Sequence, residues 1–388
     1  MTSPAATTTS TRAAWVWGAG AWLVLRLVAT GAAAASSLWL RAGTTVPVPG
    51  YTPPELAGAA GHLAGVWLRS DVLWYLSVAT GGYADRGTYA FLPAFPAAVR
   101  ALTPLTGGND LVAGLLLANA ACLVGFVLLY RFVDGLLGPP AARATVAGLA
   151  VFPTAFFLVS PYGEPVLLAA GAGALLAAQR GRWGTAALAG AVAALSRPFG
   201  VLLALPLAAL ALGRGRRAWA APAGPLAGAA VWAAFVAVRL GHPFAALRVQ
   251  ETWQRVAAPP WTTVADAVRA WWGYRATPLG PYFLLDLAVV AFAIALTAAA
   301  VVVLRSRGVA GPLVAGLAGY AALAVLLPLA SPYPGRPLLS FPRFALALFP
   351  VFAGCALVPP RLRLPLGLLS AGGLAWATAL YVAARPIF

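Results

Sequence analysis

The amino-acid sequence predicts an all-α chain folded as a polytopic transmembrane helix bundle, a single integral-membrane domain over residues 1–388 with about eleven spans. Three observations predict it. Hydrophobic residues make up 61% of the chain and charged residues only 9%, whereas a soluble domain carries roughly a quarter charged residues. Apolar runs long enough to cross a bilayer recur along the whole sequence. The few charges between those runs are sorted, with arginines in one set of loops and carboxylates in the other.

The expected spans are 14–40, 110–130, 143–160, 164–179, 184–196, 198–213, 218–240, 282–304, 309–330, 343–358 and 365–383. The first twelve residues are polar and end in Arg12. The run that follows them is too long for the apolar region of a signal peptide, so an uncleaved first span is expected. Pro198 interrupts the fifth and sixth segments, which read either as two spans or as one re-entrant element. With the N-terminus inside, the short inner loops carry Arg131, Arg143, Arg180, Arg182, Arg305 and Arg361 along with the cluster at 214–217, as the positive-inside tendency requires. The long loops 41–109 and 241–281 then lie outside. Of the nine acidic residues only Asp134 falls inside. The others sit in or beside outer segments, where chemistry by carboxylates would gather. Arg26, Arg197 and Arg239 lie within or at the ends of apolar runs, and each is expected to be paired, snorkelling or lining a polar cavity.

Composition also excludes several classes. The net charge of +17 is spread over short loops rather than gathered on a polar domain, so it reads as topology and not as a nucleic-acid surface. Cys122 and Cys355 both lie in apolar runs and imply no disulfide framework. His62 and His242 are isolated from any second ligand at metal spacing, so no structural zinc site is expected. The Ala, Leu and Gly runs read as close helix packing through small residues.

The most informative stretch is 67–100. Read as one helix from Gly61 to Thr80 closed by Gly81 and Gly82, it places Asp71, Trp74, Tyr75 and Val78 on one face. A carboxylate beside two aromatic rings serves either as a catalytic acid or base, or as part of an amphipathic helix lying in the headgroup layer with its aromatics as anchors.

The run Arg69-Ser70-Asp71, Trp74-Tyr75-Leu76, Gly82-Tyr83, Ala90-Phe91-Leu92-Pro93 and Pro96 resembles the first outer-loop signature of the PIG-V-like mannosyltransferases, members of the GT-C superfamily of polytopic glycosyltransferases. The family pattern differs at Ser70, Leu92 and Phe95. Further elements resemble it in the same order: Ser160-Pro161-Tyr162-Gly163-Glu164, then Leu195-Ser196-Arg197-Pro198-Phe199-Gly200. After these come His242-Pro243-Phe244 through Gln250 and Trp253, and finally Pro342-Arg343-Phe344 with Phe349-Pro350. The similarity spans most of residues 15–385.

That resemblance implies transfer of a sugar, mannose by family pattern, from a polyprenyl-phosphate donor to a glycan or glycolipid acceptor. The expected site is on the extracytoplasmic side of the cell membrane, in contact with membrane lipids. Attack by an acceptor hydroxyl needs a base for its proton and a cation for the departing phosphate. By resemblance Asp71 is the base; Glu164 reads either as a second catalytic carboxylate that orients the acceptor or an arginine, or as a cap at the start of its own helix, where the dipole favours an acid. Arg197 and Arg343 are the phosphate candidates, because a guanidinium binds phosphate oxygens through a planar fork. Arg69, Trp74, Tyr75, Tyr162, Gln250 and Trp253 complete the expected substrate-binding set. No metal or cofactor is expected beyond the lipid-linked donor. Arg197 reads alternatively as a structural partner of Glu164, Arg343 as a helix-end snorkel, and the aromatics as interface anchors. A transporter or lipid flippase with Arg26 and Arg197 along its path is the alternative function, although it has no need of so long a first outer loop.

Overall fold

The computed structural model describes residues 11–40, 46–56 and 58–385. The expected polar N-terminal segment up to residue 10, and positions 41–45 and 57 of the first long loop, lie outside the described residues. Among the described residues the chain is helical with no strand. α1 (Thr11–Trp39) buries Ala14, Gly18, Ala21, Leu25 and Ala29, one stripe at three- and four-residue spacing. Segment 46–109 then folds as α2 (Gly58–Leu63), a 3-10 turn at Gly65–Trp67, α3 (Asp71–Gly81) and α4 (Ala94–Leu102).

The continuous helix expected over 61–80 is therefore divided. Trp67 is fully buried, and Ser70 takes φ +48° and ψ −130°, outside the helical region. The helix restarts at Asp71. Its far end is as expected: Gly82 at φ +77° caps it by donating its N–H to the Val78 carbonyl, a conformation that glycine adopts without strain.

α5 (Asp110–Leu137) opens with the Asn109 side chain accepting the Val112 N–H, an N-cap. It is followed by α6 (Pro139–Ala150), a 3-10 turn at Ala155–Leu158, α7 (Glu164–Gln179) and α8 (Trp183–Ser196). The 3-10 turn Pro198–Leu203 leads into α9 (Ala204–Ala211), and α10 (Ala220–Leu240) follows. The second long loop holds α11 (Ala245–Thr252) and α12 (Pro260–Tyr274). α13 (Gly280–Ser306), α14 (Gly311–Leu329), the single turn α15 (Phe341–Phe344) continued as 3-10 helix over Ala345–Leu357, and α16 (Pro360–Val382) complete the chain.

Among the described residues six helices are long and apolar enough to cross a membrane: α1, α5, α10 with the turn before it, α13, α14 and α16. The apolar segments 164–179, 183–196, 198–211 and 341–357 are shorter, and the expected span 143–160 breaks after α6, before Pro153. Among the described residues six membrane-length helices thus stand where about eleven spans were expected: the segments expected at 164–179 and 184–196 form helices as short as their apolar runs, and prolines at 153, 198 and 350 withhold backbone donors in others. The outer faces are apolar: Leu27, Leu226, Val238, Ile294 and Leu369 are all exposed, as helices bathed in hydrocarbon require.

Small residues set the helix contacts. α8 lies on α10, where a Cβ on Gly228 would stand 2.6 Å from the Ala191 carbonyl oxygen. α13 lies on the 345–357 stretch, where a Cβ on Gly354 would stand 2.6 Å from the Leu296 carbonyl oxygen. Close approach of this kind gives dispersion contact that lipid cannot replace. Arg26 is half-buried in α1 beside Cys122 of α5, and Arg239 donates from Nε to the Tyr89 hydroxyl at 3.4 Å.

Candidate active site

Asp71 is the first residue of α3, and its Oδ2 accepts from Arg343 Nη1 at 2.5 Å across 272 positions of sequence. Glu164, the first residue of α7, lies between two guanidiniums: Oε1 is 3.5 Å from Arg343 Nε and 3.4 Å from Arg197 Nη2. Neither Glu164 oxygen makes a hydrogen bond, so this carboxylate acts on both arginines by charge. Arg197, at the corner between α8 and the Pro198 turn, donates from Nη1 to the Tyr75 hydroxyl at 3.0 Å. The two acids differ in access, for the Asp71 side chain is 26% exposed and that of Glu164 only 3%.

Gly163 makes this convergence possible. A Cβ there would stand 2.6 Å from the Ser196 carbonyl oxygen, 3.0 Å from Arg197 Cδ and 3.2 Å from the Tyr75 hydroxyl. Only a residue without a side chain lets the 160–164 segment touch both the Arg197 corner and α3.

Aromatic rings wall the cluster. Tyr75 meets Phe91, Phe95 and Tyr162 edge-on at centroid distances of 5.0, 5.4 and 5.7 Å. Trp74 stacks on Phe91 at 5.9 Å and meets Trp253 edge-on at 5.2 Å. Trp253 in turn donates from Nε1 to the Gly87 carbonyl at 3.2 Å. Burial raises the Tyr75 hydroxyl above its ordinary value, so it remains a neutral acceptor for Arg197. Tyr381 donates to the Arg69 carbonyl at 3.0 Å and lies 3.0 Å from the Tyr162 hydroxyl. Tyr162 is therefore the donor in that pair.

The cationic side of the cluster gathers on one ring. The guanidinium carbons of Arg343, Arg197 and Arg255 stand 5.2, 5.5 and 5.7 Å from the Phe344 centroid, within cation–π range. Arg255 donates to the carbonyls of Ser331 at 2.8 Å and Leu339 at 2.9 Å.

Of the residues expected at the site, Asp71, Trp74, Tyr75, Tyr162, Glu164, Arg197, Trp253 and Arg343 come together. Arg69 does not join Asp71. It turns away, donating from Nε to the Val382 carbonyl and from Nη1 to that of Leu68, because the Ser70 break reverses the chain between them. It lines a separate cleft of about 220 Å³ with Pro47, Tyr51 and Leu73. A second cleft of about 230 Å³ is lined by Tyr274, Tyr282, Phe283 and Arg336, and neither of these two clefts is lined by Asp71 or Arg197. Gln250 is half-buried on α11, and its backbone carbonyl accepts from the Trp253 and Arg255 N–H groups. Asp85 caps the next turn by accepting the Gly87 N–H at 2.8 Å. Among the described residues no group of three His, Cys, Asp or Glu side chains gathers at ligand distance.

Arg255 and Tyr381 were not anticipated. Arg255 had a signal, since it follows Trp253 by two positions in an outer loop. Tyr381 had only its hydroxyl within the last apolar run.

No protein-family model and no curated protein sequence matches the chain. Among solved structures, it is similar to the Archaeoglobus fulgidus oligosaccharyltransferase in complex with Zn and sulfate, at 14% identity and a TM-score of 0.45, over 95% of this chain and 53% of that one. The chain thus spans about half the length of that protein.

Proposed function

We propose that the chain is a membrane glycosyltransferase of the GT-C type, with the active site at the extracytoplasmic end of its helix bundle. It moves a sugar, mannose by its PIG-V-like motifs, from a polyprenyl phosphate to an acceptor hydroxyl. The observation that carries this reading is the meeting of five sequence-distant elements, each one expected from the motifs, around Asp71, Glu164, Arg197, Trp253 and Arg343. A lipid or ion pathway gives no reason for a carboxylate, an arginine cluster and an aromatic wall to close on one point. Arg26, the other residue of the transporter alternative, lies elsewhere beside Cys122.

In the proposed reaction the acceptor oxygen attacks the anomeric carbon from the face opposite the phosphate, which inverts that centre. The acceptor proton passes to Asp71, a new C–O bond forms, and the anomeric C–O bond breaks with its electron pair leaving on the phosphate. Asp71 suits the role of base because Arg343 holds its carboxylate in one orientation while a quarter of the side-chain surface stays open,. Glu164, almost wholly buried, positions Arg197 and Arg343 and does not reach the substrate. The arginines supply the charge that stabilises the leaving phosphate, and the reaction needs no metal.

Asp71→Asn tests this directly. The amide keeps the size of the side chain and can still accept from Arg343, but it cannot take a proton. With polyprenyl-phosphate mannose as donor, transfer per folded molecule should fall about 10²- to 10⁴-fold, with a stability cost of only about 1–3 kcal/mol from the weakened Arg343 contact, read by thermal unfolding in detergent. Wild-type transfer by this variant would remove Asp71 from its role.

A further inference from the structure

Three guanidiniums surround Phe344, and only two carboxylates stand with them. Asp71 and Glu164 hold Arg343, and Glu164 also holds Arg197. Arg255 has neither, for among the described residues no carboxylate forms an ion pair with it. Its two carbonyl partners, on Ser331 and Leu339, orient the fork without neutralising it. A largely buried cluster with one more cation than anions is costly until an anion completes it. Burial first, and then repulsion from Arg343, push the Arg255 guanidinium down to about 10, so it is still a cation at neutral pH.

We propose that Arg255 is the residue that receives the phosphate of the lipid-linked donor, while Arg197 and Arg343 remain with the carboxylates of the site. This rests on the lipid-phosphate reading above and reassigns its phosphate contact. A guanidinium has five N–H donors. Two are used on Ser331 and Leu339, and the remaining three match the oxygens of a phosphate monoester or diester.

The surroundings favour a lipid-borne phosphate. Arg255 sits in the loop 253–259, which is fastened to the rest of the site by the Ala258 N–H donating to the Ala330 carbonyl at 3.0 Å. In the same long loop Leu247, Val256 and Trp261 leave large apolar side chains exposed, the surface that acyl or prenyl chains would cover. Trp253, two residues away, carries the aromatic wall against which a sugar would lie.

The test is calorimetric titration of the purified full-length protein with a short-chain prenyl monophosphate, and separately with inorganic phosphate. Arg255→Gln should weaken prenyl phosphate binding roughly 10- to 100-fold, and the exposed control Arg269→Gln should leave it unchanged. Arg255→Lys keeps the charge but loses the fork, so it should bind several-fold more weakly than wild type. It also carries the test should the Gln variant fail to fold. Equal affinity in wild type and either Arg255 variant would overturn the assignment while leaving the glycosyl-transfer reading untouched. Inorganic phosphate binding as tightly as the prenyl ester would overturn the lipid source. Binding that depends on Arg255, without sugar transfer by wild type from any polyprenyl-phosphate sugar, would overturn the enzymatic reading and leave this one standing. No binding of prenyl phosphate to wild type would overturn the Arg255 assignment itself.

Discussion

Asp286 with Arg336, and Asp71 with Arg343, are both carboxylate–guanidinium pairs whose arginine is largely buried, yet they are built to opposite rules. Arg336 grips Asp286 fork to fork, Nε to Oδ2 at 2.7 Å and Nη2 to Oδ1 at 2.9 Å, with the side chains 11% and 1% exposed. The rings of Tyr282 and Phe283 each lie 5.9 Å from its guanidinium carbon. Both carboxylate oxygens of Asp286 are taken up by the fork. The cluster at Asp71 has three arginines against two acids, an acid oxygen pair without hydrogen bonds, and one carboxylate partly open. A fork-to-fork pair fastens α13 to the 331–340 loop, whereas an unbalanced, partly open cluster is arranged for something that is not protein.

The largest expected effect breaks the fork-to-fork pair. Asp286→Ala leaves Arg336 buried without its carboxylate and should cost about 3–5 kcal/mol of stability, read as a lowered unfolding temperature in detergent. Transfer per folded molecule should stay near wild type. That is the reverse of Asp71→Asn, which should lose transfer at a smaller cost in stability. Replacing both partners, Asp286→Leu with Arg336→Met, should recover most of the loss, since two apolar side chains of similar volume leave no orphaned charge. A single Asp286→Ala variant as stable as wild type would erase the contrast between the two regions.

Glu164→Gln sharpens it from the other side. The amide keeps the shape, but Arg197 and Arg343 then share only the charge of Asp71. Because the Glu164 contacts are long and not hydrogen-bonded, the stability cost should be smaller, about 1–3 kcal/mol. Prenyl phosphate should bind several-fold more tightly to the more cationic site, while transfer falls because both arginines lose their common anchor. Weaker phosphate binding in the same titration would mean that Glu164 contacts the ligand.

Much of this was legible in the sequence. Apolar length and sorted charge announce a helical membrane chain, and three- and four-residue spacing puts Asp71, Trp74 and Tyr75 on one face whether or not the helix begins at Gly61. The pairing of Arg197 with Glu164 was open to the same reading, because each lies at an end of neighbouring apolar runs. What the sequence hid was set by tertiary contact. Residues 68–71 contain no glycine or proline to mark the break at Ser70, which is imposed by burial of Trp67 and by the reach of Arg69 to the Val382 carbonyl. No local pattern links Asp71 to Arg343 rather than to its near neighbour Arg69. The significance of Arg255 is a matter of charge counting, which requires knowing which acids have already been taken.

The smallest effect tests whether the loop or its charge holds the ligand. Trp253→Phe keeps an aromatic ring against Trp74 and Phe91 but removes the indole N–H that donates to the Gly87 carbonyl at 3.2 Å. One half-buried neutral hydrogen bond contributes about 0.5–1.5 kcal/mol, so a small drop in unfolding temperature is expected. Arg255 has its own fastenings on Ser331 and Leu339, independent of Trp253. Prenyl phosphate affinity should therefore change less than about threefold, within the span of a single weak hydrogen bond. A loss as large as that from Arg255→Gln would mean that the aromatic wall fixes the lipid donor and the guanidinium merely accompanies it, which would move the comparison from charge balance to shape.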